Sequence, residues 1–297
     1  MFIVLKAFSQ SDSLTTEQQY KKILEHNKKS AYANMGLASL CFRNAEYEQS
    51  AYYAECCIAL HSDYEQEAWL LLGTALEMQK KTQKATDIFQ KATMLFPRNH
   101  LLWYNLAFVQ YKNMEYEKSL QAIDNILYIE KGLQDAYILK SIVLYEKENN
   151  PKSALWLMYG IMLNPKNETS KQAFALALKM LNKKHADISL PSFDERTTML
   201  SVLDILNKSN ANNIAKEQRT PLDIEQFLIE TNLYIEHTIE NKNNNLVEDF
   251  YIKLKNAGHL IAFEYFILQS SYETIAYEWF KNNPDKLKAF ADWLEQN

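Results

Sequence analysis

A recurrence close to 34 residues governs what this chain can fold into. Moving the stretch WLLLGTALEMQKKTQKATDIFQKATMLFP, residues 69–97, forward by 34 places carries Trp69 onto Trp103 and then Tyr137, and Leu72 onto Leu106. The small residue after that leucine recurs as Gly73, Ala107 and Ser141, and a second small position recurs as Ala85, Ser119 and Ser153. Bulky apolar residues follow at Phe89, Ile123 and Leu157 and again at Leu95, Ile129 and Leu163, with Pro97 and Pro165 closing two of the units. A single shift of 35 extends the pattern backwards through Leu37, Ala38, Cys41, Tyr47, Ser50, Ala54, Cys57 and Leu60. Four units result: 31–64, 66–99, 100–133 and 134–167.

The spacing has a mechanical cause. Within each unit, apolar residues at intervals of three and four define two amphipathic helices. A glycine, alanine or serine midway along each lets the two backbones approach closely enough for the large neighbours to interlock. Proline after the second helix cannot continue it, and the chain turns into the next unit.

The pattern resembles the tetratricopeptide repeat family, whose W-x2-L-G-x2-Y, A-x3-F and P signature is matched best by Trp69, Leu72, Gly73, Ala85, Phe89 and Pro97. Leu76 stands where the tyrosine is usual. The resemblance covers about half the chain and implies an all-α fold, a right-handed α-solenoid of helix pairs followed by a C-terminal helical region. It also implies a concave groove lined by the first helix of each unit. The residues facing it would be Met35, Ser39 and Phe42; Leu70, Leu71, Thr74 and Met78; Tyr104, Asn105, Phe108 and Tyr111; and Ile138, Leu139, Ile142 and Tyr145. Such a surface is apolar and aromatic. The family's clamp for acidic chaperone tails uses lysines, an arginine and asparagines there, and only Asn105 matches. An apolar groove left in water would be an exposed patch of a size that soluble proteins seldom carry. A segment of a partner protein would cover it, or else the chain's own C-terminal part or HADISLPSF, residues 185–193, would fold into it.

Outside the four units the organisation is simpler. Residues 1–30 read as a half-repeat or cap, with Tyr20, Ile23 and Leu24 on one helical face. Residues 168–184 read as a capping helix, completing 31–184. A proline-containing linker at 185–193 precedes a C-terminal helical domain, 194–297, with helices near 194–208, 222–241 and 245–256 separated by the polar stretches NKSNANN and ENKNNN. The aromatics Phe263, Phe266, Tyr277, Trp279, Phe280, Phe290 and Trp293 fall at roughly helical intervals and read as core rather than a ligand cage.

Composition narrows the function. Five glycines and six prolines among 297 residues are too few for a sheet-rich fold with many special turns. A net charge of −5 with no basic run offers no field for phosphates, so no nucleic-acid partner is expected. The most apolar stretch, 260–268, is short and interrupted by Glu264, so no membrane span is expected. Cys41, Cys56 and Cys57 suit reduced, packed thiols and a cytoplasmic setting. Export is the alternative if MFIVLKAFSQ is the remnant of a secretory signal, although it lacks a basic region before its apolar stretch.

The glycines stand alone, so no phosphate loop and no cofactor site is indicated. His237 and Glu240, three apart on an expected helix, come nearest to a metal pair, yet lack a second pair to complete a site. The expectation is a noncatalytic interaction scaffold whose partner is another protein or a peptide segment. Its rival is an enzyme with a metal or acid/base site in residues 194–297 and the repeats as docking arm.

Overall fold

In a computed structural model the described residues are 13–148, 153–181 and 246–296, and their regular structure is entirely α-helical. The chain divides into two compact units, with the described residues up to Lys131 in the first and those from Gly132 onward in the second.

The first unit holds α1 (Ser13–His26), α2 (Ala31–Arg43), α3 (Tyr47–Ile58), α4 (Glu65–Met78), α5 (Thr82–Leu95), α6 (His100–Lys112) and α7 (Tyr116–Ile129). Each helix packs on the next, and the first helices of successive pairs, α2 with α4 and α4 with α6, also touch. This is an α-solenoid of three helix pairs, α2/α3, α4/α5 and α6/α7. Ahead of the pairs α1 packs on α2, with the Tyr20 ring lying where a Cβ on Gly36 would otherwise project. Ile23, expected on the packed face of α1, is instead 36% exposed.

The recurrent small residues mark where the helices of a pair cross. Ser50 Oγ donates to the Ala38 carbonyl at 2.8 Å, and Ser119 Oγ donates to the Ala107 carbonyl at 2.8 Å. In the middle pair Gly73 and Ala85 hold the same two positions, and the ring of Phe89 presses on Gly73. Apolar side chains of both sizes then close the core, with Met35, Ala38 and Phe42 clustered with Ala54, Cys57, Ala68, Leu71 and Ala75.

One turn geometry is repeated inside all three pairs. Ala45, Lys80 and Met114 each take a left-handed backbone, at φ 62°, 62° and 60°. The following amide reaches back to close the helix end: Glu46 N to Cys41 O at 2.8 Å, Lys81 N to Leu76 O at 2.9 Å and Glu115 N to Gln110 O at 2.9 Å. Between pairs the chain is anchored by side chains. Asn99 caps α6 by accepting from Leu101 N and Leu102 N, and its Nδ2 donates to Gln66 Oε1 at 2.9 Å, linking the start of one pair to the start of the previous one.

The second unit holds α8 (Gln134–Glu148), α9 (Ser153–Leu163), α10 (Glu168–Leu181), α11 (Leu246–Asn256), α12 (Leu260–Leu268), α13 (Glu273–Asn282) and α14 (Pro284–Gln296). The asparagine–glutamine anchor reappears here, Asn167 Nδ2 donating to Gln134 Oε1 at 2.7 Å. The helix α9, SALWLMYGIML, is apolar on every side and therefore needs cover all round. It packs on α8 and α10 and also on α11 and α12, and the buried Tyr251 hydroxyl of α11 donates to the Leu155 carbonyl at 3.0 Å. The fourth helix pair and the described C-terminal helices thus share one core. On α10, Ala173, Leu176, Ala177 and Met180 are buried.

Phe263 and Phe290 are core residues, Tyr265 stacks on Trp279 at 4.7 Å, and Tyr277 is exposed. The third expected C-terminal helix is α11. The expected linker at 185–193, the helices near 194–208 and 222–241, the stretches NKSNANN and ENKNNN, and residues 1–12 lie outside the described residues.

Candidate protein-binding face

The first helices of the first unit are more enclosed than their spacing implies. Every residue from Ala33 to Phe42 of α2 is buried, as is every residue from Ala68 to Ala75 of α4 and from Asn105 to Tyr111 of α6. Seven or more consecutive positions span about two helical turns and so cover the whole circumference. Over these stretches the helices are enclosed, and partly exposed residues, Met78 and Tyr104 among them, lie beside them.

The expected groove residues separate accordingly. Met35, Phe42 and Leu71 belong to the core between pairs. Leu70, Thr74, Asn105, Phe108 and Tyr111 are buried, with Phe108 at 0% exposure, and Ser39 is buried on α2. Met78 and Tyr104 are half-buried. In the second unit Ile138, Leu139 and Ile142 are buried and Tyr145 is half-buried. Apolar residues at three- and four-residue intervals serve the contact between pairs as well as any groove, so periodicity alone cannot assign them to one or the other.

Polar chemistry on the same helices is unusual for an interior. Thr74 Oγ1 donates to the Leu70 carbonyl at 2.7 Å, and Asn105 Nδ2 donates to the Leu101 carbonyl at 2.7 Å. Glu77 of α4 and Lys112 of α6 form an ion pair one repeat apart, with side chains 2% and 13% exposed. Ser39 Oγ, the second carboxylate oxygen of Glu77, Asn105 Oδ1 and Gln110 Oε1 are all buried without a hydrogen-bond partner among the described residues. Glu77 and Lys112 were not among the expected site residues. The sequence signal for them was a carboxylate and an ammonium near the ends of two first helices, separated by about one period.

Burial sets the protonation of the two enclosed thiols of the first unit. Burial pushes the Cys41 thiol up to about 11, and burial also raises Cys57, which keeps both as inert thiols at neutral pH. In the second unit burial raises Tyr137, whose ring centroid lies 4.7 Å from that of Tyr159. His237 and Glu240 lie outside the described residues. No helix among the described residues is long and apolar enough to cross a membrane.

No protein-family model matches the chain, and no curated relative does. Several solved structures are similar to it in fold. YrrB, described as a TPR protein with an unusual peptide-binding site, shares 18% identity, with 67% of this chain and 93% of that chain covered, at a TM-score of 0.47. MamA, from its residue 41 to the end, of Desulfovibrio magneticus RS-1 shares 16% identity, with 71% and 100% covered, at 0.45. A tetratricopeptide repeat protein from Parabacteroides merdae ATCC 43184 shares 14% identity, with 92% and 99% covered, at 0.45. These likenesses are loose, and the helix-pair architecture stands on the packing described above. In fold, the chain is similar to tetratricopeptide repeat proteins.

Proposed function

We propose that this protein is a noncatalytic scaffold that holds a segment of another protein along the first helices of its helix pairs. The observation that carries this is that Met78 on α4 and Tyr104 on α6 stay half-buried beside stretches of the same helices that are fully enclosed. An extended partner segment gains by burying apolar side chains against partly open positions of this kind. Half-buried Met78 and Tyr104 offer its side chains an apolar footing. The fold of the neighbours fits a role in protein interaction, and YrrB is itself described as having a peptide-binding site.

The test is affinity capture with the full-length chain and two variants. Met78→Ala and Tyr104→Ala each remove a half-buried side chain; neither opens the core as Phe108→Ala would. Both variants should lose the captured protein while keeping their helicity. Undiminished capture by both would reject the inner face as the binding surface.

A further inference from the structure

A separate opening lies on the outer side of the first unit, between α3 and α5, with a volume of about 520 Å³. Its lining includes the apolar Ala51, Leu76 and Ile88 together with Gln79. Its α3 wall carries Glu48, Tyr52 and Glu55, and its other wall carries Lys84 and Asp87 of α5 with Lys81 just before that helix.

Three observations set this cleft apart from the rest of the stack. First, the next pair offers an internal control. One period on, the counterpart of Leu76 is Gln110 and that of Ala51 is Thr86, both buried, whereas Leu76 remains partly open. Second, Tyr52 is 61% exposed, although its counterparts in the following two units are Asp87 and Gln121. The stack does not need an aromatic there, and an exposed ring at the rim of an apolar hollow is what interface anchors use. Third, Glu48 and Glu55 flank Tyr52 at four residues before and three after, which puts all three on one face of α3. Neither carboxylate has an ion-pair partner among the described residues. Lys81 is held by its bond to Gln79 Oε1 at 2.6 Å, and Asp87 accepts from Gln83 Nε2 at 3.0 Å.

We infer that the α3/α5 cleft docks a partner-protein segment that carries an arginine beside a large apolar side chain. The guanidinium lies over the Tyr52 ring between Glu48 and Glu55, which stand about 10 Å apart along the helix. A planar guanidinium suits this better than an ammonium, because it stacks on the ring and still presents donors to both carboxylates. Lys81 and Lys84 on the opposite wall repel the cation and fix it to the α3 side. The adjacent apolar side chain enters the hollow over Leu76 and Ile88. This surface is distinct from the inner face of the first helices, and neither depends on the other.

The test follows the Leu76 and Ile88 methyl signals of the full chain by NMR during titration with N-acetyl-Arg-Leu-amide, and separately with N-acetyl-Glu-Leu-amide. The arginine probe should give saturable shifts of both methyls, and the glutamate probe should not. Glu48→Gln with Glu55→Gln should weaken the arginine probe by about fivefold or more, as should Tyr52→Ala. Tyr104→Ala on the inner face should leave it unchanged. The proposal is overturned if the arginine probe gives no saturable shift, if the glutamate probe binds as well, if the double variant binds normally, or if Tyr104→Ala abolishes the shifts.

Discussion

The ring of Phe89 lies so close over Gly73 that a Cβ added to the glycine would come within 2.5 Å of Phe89 Cε1. Phe89 is fully buried and has nowhere to withdraw. This single contact explains why the middle unit carries glycine where its neighbours carry alanine and serine. It also makes the role of the small residues measurable. Gly73→Ala gains about 1 kcal/mol of helix propensity but forces an overpacked core, which costs about 1–3 kcal/mol. The expected net result is destabilisation in urea unfolding. Gly132→Ala is the control, since an added Cβ there meets nothing within 4 Å. Equal stability of the two variants would show that the close crossing is not what the small residue serves.

A second expectation concerns the turn inside each pair. Met114 holds φ at 60° with its side chain 76% exposed, so replacing it sacrifices little packing. Left-handed backbone costs a residue with a Cβ about 1–2 kcal/mol, a penalty glycine does not incur. Glycine loses some of this advantage through its freer unfolded chain. Met114→Gly should raise the urea midpoint, by about 0.5–1 kcal/mol in stability. A lower midpoint would mean that the methionine side chain contributes to a contact that outweighs its strained backbone.

The helix pairs are legible in the residues because size classes recur in register. Crossing points need small side chains and the space between pairs needs large ones, so Ala38, Gly73 and Ala107 announce their own positions. The turns are not legible, because Ala45, Lys80 and Met114 adopt a conformation that normally advertises itself through glycine. The binding face is only partly legible. Met35, Phe42 and Leu71 have the spacing of groove residues but are used between pairs, and a stretch of helix enclosed all round leaves no polar stripe to orient it. The Glu77–Lys112 pair reads as two isolated charges until the stack sets α4 beside α6. The sharing of one core by α9, α11 and α12 rests on contacts between segments some 96 residues apart, as Tyr251 and Leu155 are, which no local pattern encodes.

The buried ion pair leads to a third expectation. Lys112→Met would leave the Glu77 carboxylate enclosed without its cation, at a cost of about 3–5 kcal/mol. Combining it with Glu77→Leu removes both charges and puts apolar volume in their place, which is commonly neutral or stabilising. The double variant should therefore be more stable than Lys112→Met alone in urea unfolding. If the two substitutions simply add, the pair is not coupled, and the polar character of this part of α4 and α6 has another origin.

The fourth expectation concerns pH and the second unit. Glu264, 1% exposed on α12, is held protonated by burial, which lifts its pKa to about 8 from the usual 4.5. The folded form thus keeps a proton that the unfolded form releases. Below pH 4.5 both states are protonated and the residue contributes nothing. Between 4.5 and 8 the unfolded chain is progressively favoured by ionisation, and stability falls as pH rises. Above 8 the folded state is ionised too and the loss levels off, at a ceiling of about 4–5 kcal/mol before the surroundings relax. Glu264→Gln preserves the shape of the protonated acid and removes the titration. The variant should match the wild type at pH 4.5 and exceed it in Tm by a growing margin up to pH 8. A margin that stays constant across this range would show that Glu264 remains ionised inside the folded unit, with a neighbouring cation or solvent offsetting its burial.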